Sequence, residues 1–102
     1  MDRWHQLLEI LKSILKSNNV YFQPPSNIRM KYPCIIFRRE SDSTIKADDI
    51  RYRSLFRYSI MYIRRDIDST DICEKIMDLP LCSYDRFYVA DGLNHDVFSI
   101  YF

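Results

Sequence analysis

At 102 residues the chain is long enough for one domain and too short for a second core, and with 47% hydrophobic and 15% aromatic residues it has the material to fold. A formal net charge of +1 excludes a global electrostatic drive toward nucleic acid or an anionic membrane. Its apolar runs fall far short of the ~18 residues that a membrane span needs.

Asp2 to Ser17 reads as an α-helix. Trp4, Leu7, Leu8, Leu11, Ile14 and Leu15 share one face, with Arg3, Gln6, Glu9, Lys12, Ser13 and Lys16 opposite. Asp2 suits the N-cap, and Lys16 suits the negative end of the helix dipole. Val20–Phe22 is a short strand, broken by Pro24, Pro25, Ser26 and Asn27. After a second break at Tyr32-Pro33, Cys34–Arg39 reads as a strand whose apolar start predicts burial on both faces.

Glu40 to Ile50 is polar and without period, and reads as a long loop. Tyr52 to Arg64 then alternates as a strand of about 12 residues, roughly 40 Å at ~3.3 Å per residue. A 100-residue domain has a radius of gyration near ~13 Å. Arg39–Arg57 is therefore expected to project as an arm. The stretch is locally basic, with Arg38, Arg39, Arg51, Arg53, Arg57, Arg64 and Arg65 set against Glu40, Asp42, Asp48 and Asp49.

Ser69–Leu79 reads as the second helix. Asp68 or Ser69 would cap it, Asp71 sits near its positive end, and Ile72, Cys73, Ile76 and Met77 would be buried. Leu79-Pro80 stops it.

Ser83–Phe102 is a closing hairpin around Asp91 and Gly92, the chain's only glycine. A terminus this aromatic has to dock, either on the domain's own sheet or on a neighbouring subunit. A loop of Asp91 and Gly92 alone would set Phe87 opposite Asp96. A loop of Asp91-Gly92-Leu93-Asn94 would set Phe87 opposite Phe98 and Tyr84 opposite Tyr101, and this aromatic pairing favours the longer loop. Either way Phe87, Val89, Phe98, Ile100 and Phe102 share one face. Tyr84, Arg86, Tyr88, Val97, Ser99 and Tyr101 take the other, a Tyr/Arg surface suited to an interface. Eight Tyr, six Phe and one Trp are more aromatic surface than so small a core hides, which supports that reading. The order α-β-β-β-α-β-β predicts an α+β fold, one mixed and mostly antiparallel sheet with both helices on one face.

Little here points to chemistry. His95 and Asp96 are strand neighbours facing opposite ways, so they do not converge, and His95 reads as a surface hydrogen-bonding residue. Asp66, Asp68 and Asp71 lack the glycine and closing glutamate of a calcium loop. Cys34, Cys73 and Cys82 have no C-x-x-C spacing, which argues against structural zinc, and one glycine cannot build a phosphate-cradling loop. With no secretory leader pattern, the odd cysteine count favours a reduced, cytosolic setting. No catalysis, metal or cofactor is expected. Arg51-Tyr52-Arg53 and Arg57-Tyr58 interleave basic and aromatic residues as single-strand readers do, but the flanking acids cancel much of the field.

Tyr32-Pro33-Cys34-Ile35-Ile36-Phe37, the run Leu79 to Tyr88, and above all Val89 to Phe102 resemble small structural proteins of tailed bacteriophages, the tail terminator (tail completion) proteins of the neck. The resemblance extends from about Val20 onward and is strongest over the closing hairpin. It implies an α+β subunit of a hexameric ring with no cofactor and no enzymatic activity. Such a ring sits on the tail tube protein, stops its polymerisation and offers its other face to head-side connector or stopper proteins. In particles with a sheath it would also touch the sheath protein. DNA would pass through the lumen without sequence-specific binding, and the protein would assemble in the bacterial cytoplasm and reside in the virion without contacting a membrane.

The assembly residues this implies are Arg39, Asp42, Lys46, Asp48, Asp49, Arg51, Arg53 and Arg57 on the arm, and Tyr84, Arg86, Tyr88 and Tyr101 on the hairpin. A head–tail connector or head-completion protein is the alternative within the same class, separable by locating the ring relative to the tube. A small nucleic-acid-binding regulator is the alternative from another class, and a steep salt dependence of DNA binding would favour it.

Overall fold

The computed structural model describes residues 3–45, 55–65 and 71–102. Its elements are α1 (Arg3–Leu15), β1 (Val20–Phe22), β2 (Cys34–Ile45), β3 (Leu55–Arg64), α2 (Asp71–Met77), β4 (Cys82–Ala90) and β5 (Leu93–Tyr101). The strands form one five-stranded sheet in the order β1-β2-β3-β5-β4. β1 runs parallel to β2, and every other pairing is antiparallel. The fold is α+β, as the element order predicts.

The apolar spacing of α1 determines how it sits. Leu7, Leu11 and Leu15 are buried, and Trp4, Leu8 and Ile14 pack around them. Lys16 turns into the left-handed region at φ 58°, and the Ser17 N–H returns to the Lys12 carbonyl at 3.3 Å. That cap ends the helix short of Ser17. The predicted N-cap Asp2 lies outside the described residues, as do Asp68 and Ser69 before α2. α2 ends at Met77, before the expected Leu79: Ile76 is buried, Ile72 and Cys73 pack against the core, and Met77 is exposed rather than buried.

Both helices cover one face of the sheet. Their side chains meet Ile35 and Phe37 of β2, Tyr58, Ile60 and Tyr62 of β3, and Phe98 and Ile100 of β5. The outer face holds a smaller cluster of Cys34, Ile36 and Ile63, against which Met30 and Tyr32 pack. Cys34 to Phe37 is thus buried on both faces, as its apolar run predicts. An aromatic chain runs from Trp4 over Phe22 (ring centroids 4.5 Å) to Phe37 (4.9 Å) and Tyr58 (6.2 Å).

The expected loop from Glu40 to Ile50 is corrected over its first half, because β2 continues to Ile45. Pairing of Thr44 with Phe56 and Ile45 with Leu55 satisfies backbone groups whatever the polarity of the side chains. The register shifts between Arg39 and Thr44, where β2 takes extra residues relative to β3. The remainder of the predicted arm, residues 46–54, lies outside the described residues.

The hairpin turn is corrected as well. Ala90 pairs with Leu93 and Phe87 with Asp96, so Asp91 and Gly92 alone form the loop. Both sit at positive φ, 54° and 73°, the pairing that a two-residue primed turn requires. Matched right-handed twist at the turn outweighs the aromatic cross-strand pairing that favoured four residues. A Cβ on Gly92 would meet nothing within 4 Å, so only backbone strain opposes substitution. Gly92→Val is expected to lose about 1–3 kcal/mol of stability and Gly92→Asn much less, checked by thermal unfolding.

The C-terminal residue docks on the domain's own sheet. Phe102 exchanges backbone hydrogen bonds with Phe56, at 2.9 and 3.3 Å.

Candidate functional site

Strand alternation places Arg64 and Asp96 on the helix-covered face, and pairing with Phe98 brings Tyr84 to the same face, under Cys73 of α2. The Arg64 guanidinium pairs with Asp96 Oδ2 where both residues are buried. The Tyr84 hydroxyl donates to Asp96 Oδ1 at 2.5 Å, and the Cys73 thiol lies 3.3 Å from Asp96 Oδ2. One carboxylate thereby joins β3, β4, β5 and α2. Arg64 also lies over the Tyr62 ring, 5.0 Å from its centroid.

The electrostatics suit an anchor better than a reactive centre. Burial alone would raise the Asp96 carboxyl. Hydrogen bonds from Tyr84, Arg64 and Cys73, with the charge of Arg64, outweigh it and hold the carboxyl below its ordinary range. Burial alone would lower Arg64, but Asp96 outweighs it and holds the guanidinium above its usual value. Burial, then the hydrogen bond and charge of Asp96, push the Cys73 thiol up to about 11. Burial and Asp96 likewise push Tyr84 up to about 12. A thiol protonated at neutral pH is a poor nucleophile and a poor metal ligand. Burial also pushes Cys34 up to about 11, and burial with nearby Asp85 does the same for Cys82. Among the described residues no group of three or more His, Cys, Asp or Glu is placed to hold a metal ion.

The reading of the Asn94-His95-Asp96 run separated His95 from Asp96, and the structure does the same. It corrects the surface placement of His95, which is buried. Its ring stacks on Tyr88 at 4.5 Å, and its Nδ1 lies 3.0 Å from the Leu93 carbonyl. The Arg64–Asp96 pair went unread. Its signal was present, because Asp96 shares alternation with Phe98 and Ile100, and a carboxylate on a core face needs a partner.

The hairpin residues predicted for assembly divide between the faces. A bulge between Tyr84 and Arg86 shifts the phase of β4. Arg86 stays on the outer face opposite Val97, Tyr88 opposite His95, and Tyr101 opposite Arg57. Tyr84 is corrected to the helix face, opposite Phe98, with ring centroids 5.2 Å apart. On the outer face Arg57 donates to Ser99 Oγ at 3.2 Å, Ser99 donates to Asp85 at 2.7 Å, and Arg86 lies 5.5 Å from the Tyr88 centroid.

Of the arm residues, Arg39 lies over the Phe56 ring at 4.3 Å, and its backbone N–H donates to the Gln23 side chain. It lines a recess of about 390 Å³ with Trp4, Phe22, Gln23 and Tyr58. Asp42 is on β2. Lys46, Asp48, Asp49, Arg51 and Arg53 lie outside the described residues.

Among the described residues, β4 is an exposed edge of the sheet. It is last in the strand order, and Ser83 to Phe87 are exposed in succession. Tyr84, Phe87 and Val89 are 41%, 42% and 59% exposed. Beside its start, α1, residues 79–81 and the end of β5 enclose an apolar groove of about 400 Å³. Among the described residues no helix is long and apolar enough to cross a membrane.

No family model and no curated protein matches the chain.

Proposed function

We propose that this chain is a structural subunit of a tailed-bacteriophage neck, acting as a tail terminator. Copies join into a hexameric ring at the head-proximal end of the tail tube, stop its growth and present the opposite face to the head-side connector. The reading rests on the resemblance of the hairpin and on one observation. Among the described residues no strand pairs with the outer edge of β4, which bears Tyr84, Arg86, Phe87 and Val89. A long sheet edge left open beside exposed aromatic side chains is a hazard for a protein that works alone, and an asset for one that works in an assembly. A head-to-tail contact between different surfaces closes into a ring when its rotation permits. The Tyr/Arg composition is that of interfaces. The arm between β2 and β3 would reach a neighbour or the tube below.

The test is tube capping. Added to growing tail tubes, the protein is expected to sit at one end of each as a six-fold ring and to fix tube length. Deleting Asp42–Asp49 is expected to leave a folded subunit that no longer caps. Normal termination by the deletion variant would refute the arm's role. Absence of any tube-end binding by the intact protein would refute the terminator reading. A ring found on the head connector, away from the tube, would move the assignment to a connector.

A further inference from the structure

We propose that in the free protein the β4 edge is covered by the β4 edge of a second copy, the strands running antiparallel about a two-fold axis between Asp85 and Arg86. This goes beyond the neck reading and does not depend on it. It concerns how the edge is shielded before any larger assembly forms.

The bulge carries the argument. Residues opposite one another in an antiparallel pair lie on the same face of the sheet. In a regular strand Tyr84 and Phe87 would lie on opposite faces, and so would Asp85 and Arg86. No two-fold pairing could then set them together. The bulge changes the phase by one residue, so Tyr84 shares the helix face with Phe87, whose partners on β5 are Phe98 and Asp96. Asp85, which bonds Ser99, shares the outer face with Arg86. Ser83 and Tyr88, opposite Ser99 and His95, are matched in the same way, as are Cys82 and Val89, opposite Ile100 and Asn94.

β4 is therefore self-complementary about its bulge. In the two-fold register Asp85 faces Arg86 of the second copy, and Tyr84 faces Phe87 of the second copy. Each such pair occurs twice. Opposite charges and aromatic pairs directly across a sheet are the favourable combinations. Asp85 accepts from Ser99 through Oδ2 and keeps Oδ1 free of that bond. A bulge on one edge alone discourages strand addition. Two bulges facing each other across the axis bend both strands alike. Pairing covers Tyr84, Phe87 and Val89, the exposed apolar side chains of the strand. A contact of this size falls below about 1,200 Å², so the dimer should dissociate on dilution.

Charge reversal tests it by sedimentation equilibrium of the full chain over a range of concentrations. The wild type is expected to pass from monomer to dimer. Arg86→Asp sets Asp against Asp twice and should raise the dimer dissociation constant at least about tenfold, while Arg86→Lys should keep it near wild type. Asp85→Arg should weaken pairing as Arg86→Asp does. Mixing the two reversed chains sets every Arg against an Asp and should restore a dimer containing one of each. Should Asp85→Arg fail to fold through loss of the Ser99 contact, the comparison of Arg86→Asp with Arg86→Lys decides alone. A wild type that stays monomeric at every concentration overturns the proposal. So does a dimer indifferent to Arg86→Asp, or two folded reversed chains that do not pair on mixing. A six-fold ring indifferent to these reversals would overturn the two-fold pairing and leave the neck reading standing.

Discussion

Asp96→Ala is expected to destabilise the domain by about 3–5 kcal/mol, the usual result of removing one partner from a buried ion pair. The loss is large against the 5–15 kcal/mol (roughly) that holds a domain of this kind. Arg64 would remain buried and charged without its carboxylate, and Tyr84 and Cys73 would lose their acceptor. Equilibrium denaturation should show a lower midpoint with the slope unchanged, since the surface exposed on unfolding is nearly the same. The pH dependence identifies the source. The folded Asp96 carboxyl lies below its ordinary value. Its contribution is therefore fully present above about pH 4, the unfolded range, and is lost as pH falls through the folded value. Stability of the wild type relative to Asp96→Asn should be greatest near neutrality and should diminish in acid. A difference that stays constant into strong acid would mean that the carboxylate charge is not what stabilises the pair.

The same residue shows where the sequence was legible. Periodicity sufficed for the framework, because burial follows spacing. Leu7, Leu11 and Leu15 fall on the covered face of α1, and the unbroken Cys34–Phe37 run falls on a strand between two packed faces. The faces of β5 were readable by the same alternation. Legibility failed where one local event changed the phase. The bulge near Asp85 moved Tyr84 from the outer face to the core side, and nothing in Tyr84-Asp85-Arg86 marks an extra residue. The choice of turn failed for a different reason. Cross-strand aromatic pairing favours four residues, the twist preference of Asp-Gly favours two, and at a tight turn the backbone geometry prevails. The Arg64–Asp96 pair spans 32 positions of chain, and only the β3–β5 pairing brings its members together. Five of the eight assembly residues expected on the arm fall outside the described residues, whereas all four expected on the hairpin are described.

That hairpin yields the sharpest contrast between two phenylalanines that the longer loop would have made partners. Phe98→Ala is expected to cost about 3–5 kcal/mol, because the ring is wholly buried and its removal opens a cavity that the rigid sheet cannot close. The ring packs against both helices' cluster and meets Tyr84 edge-on, so Asp96's own tyrosine partner would loosen with it. Phe87, opposite Asp96 and 42% exposed, rests on an uncovered part of the same face. Phe87→Ser should change stability by only ~0.5 kcal/mol or less, yet weaken association, since an exposed aromatic at a strand edge contributes mainly to what covers it. Denaturation and sedimentation of the two variants side by side separate the roles. Equal destabilisation by both would place Phe87 in the core. Unchanged association in Phe87→Ser would remove β4 from the assembly surface altogether, and with it the structural support for a ring built on this edge.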